Sequence, residues 1–175
     1  MRKITGIIIH CTATRAEWWA GKRTSEKVAE IKRWHVEDRG WSDIGYHFLI
    51  DRDGTVAAGR PLGRIGAHTK GHNTGTIGIS LFGGHGSTEN DKFSENFTPE
   101  QDNALRGLIA HLKNKHPITR VTGHNIYAAK ACPGFPVADW LKSAPTAPSK
   151  PIPAPTPPKV KGGLLAAFLA FFTRG

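Results

Sequence analysis

Hydrophobic and polar positions along this chain recur with two periods. Short apolar, β-branched runs bounded by turn residues predict strands at residues 6–11, 46–51, 55–58, 77–82 and 120–124. Apolar residues at helical spacing predict two helices, one through Val28, Ile31 and Trp34, the other through Leu105, Leu108, Ile109 and Leu112. Strands interleaved with helices indicate an α/β fold, a single domain with a central mixed β-sheet flanked by α-helices.

Turn and helix-cap residues lie between the predicted strands and helices. Asp53-Gly54 lies between two predicted strands and indicates a hairpin turn. Thr98 is followed by Pro99 and, three positions on, by Gln101, which predicts a capped helix start. Residues 83–96 are rich in glycine, serine, asparagine and charge, so we assign them to a surface loop.

The composition changes sharply after residue 143. Seven of the fifteen residues 144–158 are proline, which favours a stiff polyproline II spacer. We therefore predict a folded domain at 1–143, a proline-rich linker at 144–161 and an apolar tail at 162–175. The tail's apolar run, 164–172, would form a short helix of roughly 14 Å, about half the thickness of the hydrocarbon core of a bilayer. With its basic flanks, the segment 159–175 is expected to enter an anionic membrane or outer-membrane surface without spanning it. The alternative is that the apolar run folds back and covers an apolar patch of the domain.

The charge balance is strongly basic. The net charge of the 175-residue chain is +10, and about half of the excess lies beyond residue 141. A basic protein seeks a polyanion, such as nucleic acid, an anionic membrane or a bacterial envelope, and charge alone does not choose among them. Met1-Arg2-Lys3 precedes only a few apolar residues, so we predict no secretory signal and accumulation in the cytoplasm.

Two histidines and a cysteine carry the candidate chemistry. His10 ends the first apolar strand, and the late segment 123–134 contains His124 and Cys132. Two imidazoles and a thiolate can hold one zinc ion and leave its fourth position for water, the arrangement of a catalytic rather than a structural zinc site. Taken alone, His10 would more often be a buried strand histidine, and the spacing matches no short zinc-finger pattern. The second cysteine, Cys11, must face away from His10 on the same strand and is interpreted as a core residue.

Four segments together resemble a known family. They are His10-Cys11-Thr12-Ala13-Thr14, Gly45-Tyr46-His47-Phe48, Asp53-Gly54-Thr55 and Lys130-Ala131-Cys132-Pro133-Gly134. In this order they are similar to the zinc-dependent N-acetylmuramoyl-L-alanine amidases of phage-lysozyme type, relatives of the peptidoglycan recognition proteins. The resemblance runs from residue 4 to about residue 142 and stops at the proline-rich linker.

The resemblance implies a ligand set, catalytic residues and a reaction. The implied residues are His10, His124 and Cys132 for zinc, Tyr46 and Lys130 for catalysis, and His68 and Asn73 for substrate contact. Members that only bind peptidoglycan typically lack the cysteine ligand, so Cys132 favours catalysis. The implied reaction is hydrolysis of the amide between N-acetylmuramic acid and L-alanine by zinc-activated water. The ammonium of Lys130 suits a developing oxyanion, and the phenol of Tyr46 suits orientation of water or proton transfer.

These features predict a phage endolysin that acts on bacterial peptidoglycan. It would reside in the host bacterial cytoplasm and reach the cell wall after a separate release step. The alternatives are a peptidoglycan-binding protein, a phage RNA polymerase inhibitor like one member of the family, and a bacterial muropeptide amidase. The short stretch before His10 disfavours a polymerase contact, and no nucleic-acid partner is expected.

Overall fold

The computed structural model describes residues 2–145, and a five-stranded sheet forms its centre. The strands are β1 (Gly6–Cys11), β2 (Phe48–Ile50), β3 (Val56–Ala58), β4 (Thr76–Leu81) and β5 (Arg120–Gly123). Their spatial order is β3-β2-β4-β1-β5; β2 and β3 pair antiparallel, and the other neighbours pair parallel. The predicted α/β fold with a central mixed sheet is confirmed. The predicted tail and residues 146–161 of the linker lie outside the described residues.

Helices cover both faces of this sheet. They are α1 (Thr24–Arg33), extended by a π-helical turn (Trp34–Asp38), α2 (Phe93–Asn96), α3 (Pro99–Lys115) and α4 (Val137–Lys142). Apolar residues of α3 and α4 pack with those of β1 and β4 in the larger core cluster. On the other face, Ile31 of α1 packs with Leu49 of β2 in a smaller cluster. This two-sided cover explains why β1 is apolar without alternation, since both faces of a parallel strand are buried.

Capping and turn chemistry explain where α3 and the hairpin begin. The Oγ of Thr98 accepts a 3.1 Å hydrogen bond from the backbone N–H of Gln101, whose side-chain oxygen accepts one from Thr98 in return. The Gln101 amide also donates to the carbonyls of Ile50 and Phe82, which fastens α3 to the sheet. Gly54 turns the β2–β3 hairpin with a φ of +84°, a conformation that glycine adopts without strain. The predicted cap and hairpin are both confirmed.

Two local predictions need correction. Residues 83–96 are not only a surface loop, because α2 forms at their end and buries Phe93 in the core. The strand predicted at 46–51 is shorter, and Tyr46 and His47 precede it. The backbone N–H groups of two consecutive residues, Gly59 and Arg60, donate to the carbonyls of His47 and Tyr46, which interrupts the regular antiparallel pattern.

Candidate metal centre

Parallel strand pairing brings the two predicted histidine ligands together. Ile9 of β1 lies opposite Gly123 of β5, so the residues that follow, His10 and His124, are neighbours at the carboxyl edge of the sheet. Their ring centroids are 4.6 Å apart. The carboxyl edge is where open α/β sheets bind their ligands.

The loop after β5 returns the cysteine to the same place. The backbone N–H of Asn125 donates a 2.8 Å hydrogen bond to the carbonyl of Cys132, which closes this loop. The Cys132 Sγ lies 3.8 Å from Nδ1 of His10. One donor atom from each of His10, His124 and Cys132 lies within 4.8 Å of the others. The structure therefore groups the three side chains that the sequence analysis proposed as ligands.

This donor set fits a tetrahedral metal ion. Zinc–nitrogen distances of about 2.0–2.1 Å and a zinc–sulfur distance of about 2.3 Å require donor atoms roughly 3.3–3.8 Å apart. The Nδ1–Sγ separation of 3.8 Å already meets this requirement. Three protein donors leave one tetrahedral position for water or substrate.

The surroundings set the protonation state of the donors. Burial lowers the pKa of His10 well below its ordinary value, and the nearby His68, His124 and Lys130 lower it further. Burial and Lys130 also lower the pKa of His124, so both imidazoles are neutral at neutral pH, as metal ligation requires. A hydrogen bond with the Cys11 thiol, together with burial, raises the pKa of Cys132. A thiolate at Cys132 therefore calls for a compensating cation in the site.

The two predicted catalytic side chains border this group. The ring of Tyr46 lies 5.2 Å from that of His10, and burial raises its pKa, so the phenol is protonated at neutral pH. Lys130 is exposed on the loop after β5, and its charge reaches both histidines. A half-buried phenol and an exposed ammonium thus lie beside the donor group.

The segment that carries Tyr46 is held by two residues to which the sequence analysis assigned no function. The buried guanidinium of Arg60 donates to the carbonyls of Ile44, Asp43 and Ile65 at 2.7–2.9 Å. The Nδ1 of His35 accepts a 3.0 Å hydrogen bond from the N–H of Gly45, and its ring packs against Tyr46. No periodicity or motif marks Arg60, because its partners are backbone carbonyls that become neighbours only in the folded chain.

Of the two predicted substrate contacts, His68 lies against the donor group, and Asn73 holds the backbone of His68. His68 is 7% exposed, and its Nδ1 lies 3.1 Å from Nε2 of His10. The Asn73 side-chain oxygen accepts hydrogen bonds from the backbone N–H groups of His68 and Thr69. In this structure both side chains contact the protein's own groups, and their contact with substrate stays a prediction.

Comparison with known proteins is consistent with this geometry. Residues 1–135 match the family model described as N-acetylmuramoyl-L-alanine amidase. The chain belongs to this amidase family. The resemblance inferred from the sequence motifs is therefore confirmed.

Individual family relatives agree with the match. An endolysin of Enterobacteria phage K11 is 42% identical over 135 residues, which cover 77% of this chain and 83% of the relative. The structure of the N-acetylmuramoyl-L-alanine amidase LysC from Clostridium intestinale URNW superposes with a TM-score of 0.62 at 32% identity, covering 81% of this chain and 85% of that one.

A recognition protein shares the same fold. Peptidoglycan recognition protein LE, solved in complex with tracheal cytotoxin, a monomeric diaminopimelic acid-type peptidoglycan, has a TM-score of 0.63 at 29% identity; the match covers 77% of this chain and 76% of that one. The amidase fold thus hosts both hydrolysis and recognition of cell-wall fragments. In residues 2–145, no helix is both long enough and apolar enough to cross a bilayer.

Proposed function

We propose that this chain is a phage endolysin that hydrolyses the amide between the lactyl group of N-acetylmuramic acid and L-alanine in bacterial peptidoglycan. The convergence of His10, His124 and Cys132 beside Tyr46 and Lys130 carries the proposal. Family membership supports the reaction class, and the site provides the groups that amide hydrolysis needs: a metal-binding triad, a proton donor and a fixed positive charge.

Zinc is the proposed cofactor. Two neutral imidazoles and one thiolate match the ligand preferences of this borderline-soft, redox-inert ion. His10, His124 and Cys132 would hold it. When bound, zinc supplies a Lewis acid that lowers the pKa of water towards about 7 and polarises a carbonyl.

Lys130 and Tyr46 would act on the reacting groups. Attack on the amide carbonyl produces an oxyanion, and the Lys130 ammonium provides positive charge at the exposed side of the site. The Tyr46 phenol is protonated and half-buried beside His10, so it suits orientation of the attacking water or donation of a proton to the leaving nitrogen.

The proposed location follows from the substrate. The enzyme would accumulate in the host cytoplasm and act on peptidoglycan after release to the wall. The membrane-active tail predicted at 159–175 lies outside the described residues, so its role is tested by deletion. If the tail acts on membranes, removing it leaves hydrolysis of purified peptidoglycan unchanged and reduces binding to anionic liposomes.

Two observations separate this function from its alternatives. A protein that only binds peptidoglycan needs no complete ligand set, whereas here Cys132 joins both histidines. The matched relative from phage K11 is an endolysin, which favours that role over a bacterial muropeptide amidase. Inhibition of a phage RNA polymerase would appear in a transcription assay with purified polymerase, and we expect none.

Product analysis tests the proposal directly. Purified sacculi incubated with the enzyme should release stem peptides with free L-alanine amino termini and leave lactyl carboxylates on muramic acid. New reducing sugar ends without free alanine termini would identify a glycosidase and refute the amidase. A matched reaction with the His124→Ala variant controls for contaminating hydrolases.

A further inference from the structure

We propose that His68 is a positioning residue of the metal centre, which accepts a hydrogen bond from Nε2–H of His10 and so directs Nδ1 of His10 at the metal ion. This inference rests on the proposed zinc site. It assigns His68 a role in holding a ligand, distinct from the substrate contact that the family resemblance implies.

The direction of the hydrogen bond follows from the two nitrogens of His10. Nδ1 is the nitrogen that faces Cys132, with 3.8 Å between Nδ1 and Sγ, whereas Nε2 lies 3.1 Å from Nδ1 of His68. A neutral imidazole has one N–H, and the ligating nitrogen must be the unprotonated one. The proton of His10 is therefore on Nε2, and its acceptor is Nδ1 of His68, which the hydroxyl of Thr69 also approaches to 3.0 Å.

The same logic fixes the tautomer of His68. With Nδ1 as the acceptor, its proton is on Nε2, which lies 3.5 Å from Oγ1 of Thr76. The Thr76 hydroxyl in turn donates a 2.7 Å hydrogen bond to the carbonyl of His72. The hydrogen bonds thus form a chain in which each group donates to the next, from His10 through His68 and Thr76 to a backbone carbonyl that can only accept.

Packing prevents the His68 ring from turning away. A Cβ atom at Gly78 of β4 would lie 2.5 Å from Cγ and Cδ2 of the ring, and one at Gly66 would lie 2.5 Å from Cδ2. The ring therefore rests directly on backbone at two places where any larger residue would displace it. Asn73 holds the backbone of the same turn through its bonds to the N–H groups of His68 and Thr69.

These features match what metal ligands usually require. A ligating histidine normally donates its second ring N–H to an acceptor that fixes its orientation, and loss of such a partner costs about 10- to 100-fold in metal affinity or activity. Without His68, the alternative acceptor for Nε2 of His10 is the Thr69 hydroxyl, which is farther away at 3.4 Å. We therefore expect His68 to contribute to metal affinity before any substrate is present.

Three variants of the full-length protein test this. His68→Leu removes the acceptor, and His68→Asn keeps an oxygen near the position of Nδ1. His68→Gln keeps an amide but displaces it. Zinc affinity is measured by competition with a chromogenic chelator, and the absorption spectrum of the Co²⁺-substituted protein reports ligand geometry. Leu108→Ala, on the buried face of α3, is the control for loss of stability alone.

We expect His68→Leu to bind zinc roughly 10- to 100-fold more weakly and to change the cobalt spectrum, with most of the affinity restored in His68→Asn. Leu108→Ala should melt at a lower temperature with unchanged zinc affinity. If His68→Leu does not fold, the same expectation holds between the polar variants: His68→Gln should bind zinc several-fold more weakly than His68→Asn.

Unchanged zinc affinity and spectrum in folded His68→Leu would overturn the proposal, as would equal affinities of the Asn and Gln variants. A rise in KM alone would instead identify His68 as a substrate contact. Because zinc affinity is measured without substrate, the test of His68 is independent of the proposed function. A protein whose zinc affinity depends on His68 but which leaves sacculi intact would refute only the amidase.

Discussion

The backbone N–H of Cys11 donates a 3.3 Å hydrogen bond to Sγ of Cys132. Cys11 is the last residue of β1 and directly follows His10, so one strand end provides a ligand and orients a second. An amide donor favours the charged form of the sulfur, because hydrogen bonds to an ionised group stabilise it. The hydrogen bond that stabilises the thiolate thus comes from a backbone N–H in a strand and not from a mobile side chain.

The first prediction is that Cys132→Ser loses zinc. The hydroxyl keeps the approximate size of the thiol but is a poor zinc ligand, and two histidines alone hold the ion weakly. We expect zinc affinity to fall by at least about a hundredfold and peptidoglycan hydrolysis to fall to background. Metal content after gel filtration and turnover on sacculi measure the two effects.

Cys11→Ala is the matched control for this variant. It removes the other cysteine of the chain while leaving the backbone N–H that faces Cys132 in place. We expect it to retain about one zinc per chain. Zinc retention by Cys132→Ser, or zinc loss by both variants alike, would contradict the proposed ligand set.

The second prediction separates catalysis from metal binding. Tyr46→Phe and Lys130→Ala should each retain about one zinc per chain, because neither side chain belongs to the donor group. Each should lose activity by about a hundredfold or more, the usual scale for a proton-transfer or oxyanion-stabilising group. Parallel loss of zinc and activity would show that these residues support the site instead of acting on substrate.

Much of the fold could be predicted because local and global signals agree. The apolar run of β1 has no polar alternation, as expected of a strand buried on both faces, and the Thr98 cap marks the start of α3. The helix α2 was missed, since a single turn of helix is too short to show a period. Its formation depends on Phe93 reaching a core built from distant segments.

The candidate site also contains residues that the sequence predicted and residues that it did not. Residue types and the family resemblance together indicated His10, His124 and Cys132. The pairing of β1 with β5 explains why the two histidines, far apart in sequence, meet. The contacts of His68 with His10 and of Arg60 with three carbonyls left no trace in the sequence pattern. Such contacts depend on the three-dimensional arrangement of loops, for which neither residue type nor spacing is diagnostic.

The third prediction concerns Arg60. Arg60→Met should lower the free energy of unfolding by about 2–4 kcal/mol, because the carbonyls that its guanidinium satisfies include a buried one at Ile44. Urea denaturation measures the loss. Arg64→Met, at an exposed position in the same loop, should change the free energy of unfolding by no more than about 0.5 kcal/mol. Equal stability of both variants would show that the carbonyls find other donors.

The fourth prediction is a pH dependence of stability due to His47, which is buried and whose ring lies 5.8 Å from that of His68. Its Nδ1 accepts a 3.0 Å hydrogen bond from the N–H of Gly78, and its Nε2 lies close to the carbonyl of Arg64 and the guanidinium of Arg2. Burial, and to a smaller extent the charges of Arg2 and Arg60, lower the pKa of His47 to about 4. Protonation would break the bond to Gly78 and place a second cation beside Arg2.

The sign of the effect follows from the two pKa values. The unfolded chain binds a proton at His47 below about pH 6.5, whereas the folded chain does so only near pH 4. The stabilisation from neutral His47 is therefore complete above pH 6.5 and is lost as the pH falls from 6.5 towards 4.

The His47→Asn variant tests this prediction. Asparagine cannot titrate, and its amide oxygen can still accept the hydrogen bond from Gly78. From pH 7 to pH 5, the unfolding free energy of the wild type, measured in urea, should fall by roughly 1–2 kcal/mol more than that of this variant. A constant difference across this range would mean that His47 has the same pKa in the folded and unfolded chains.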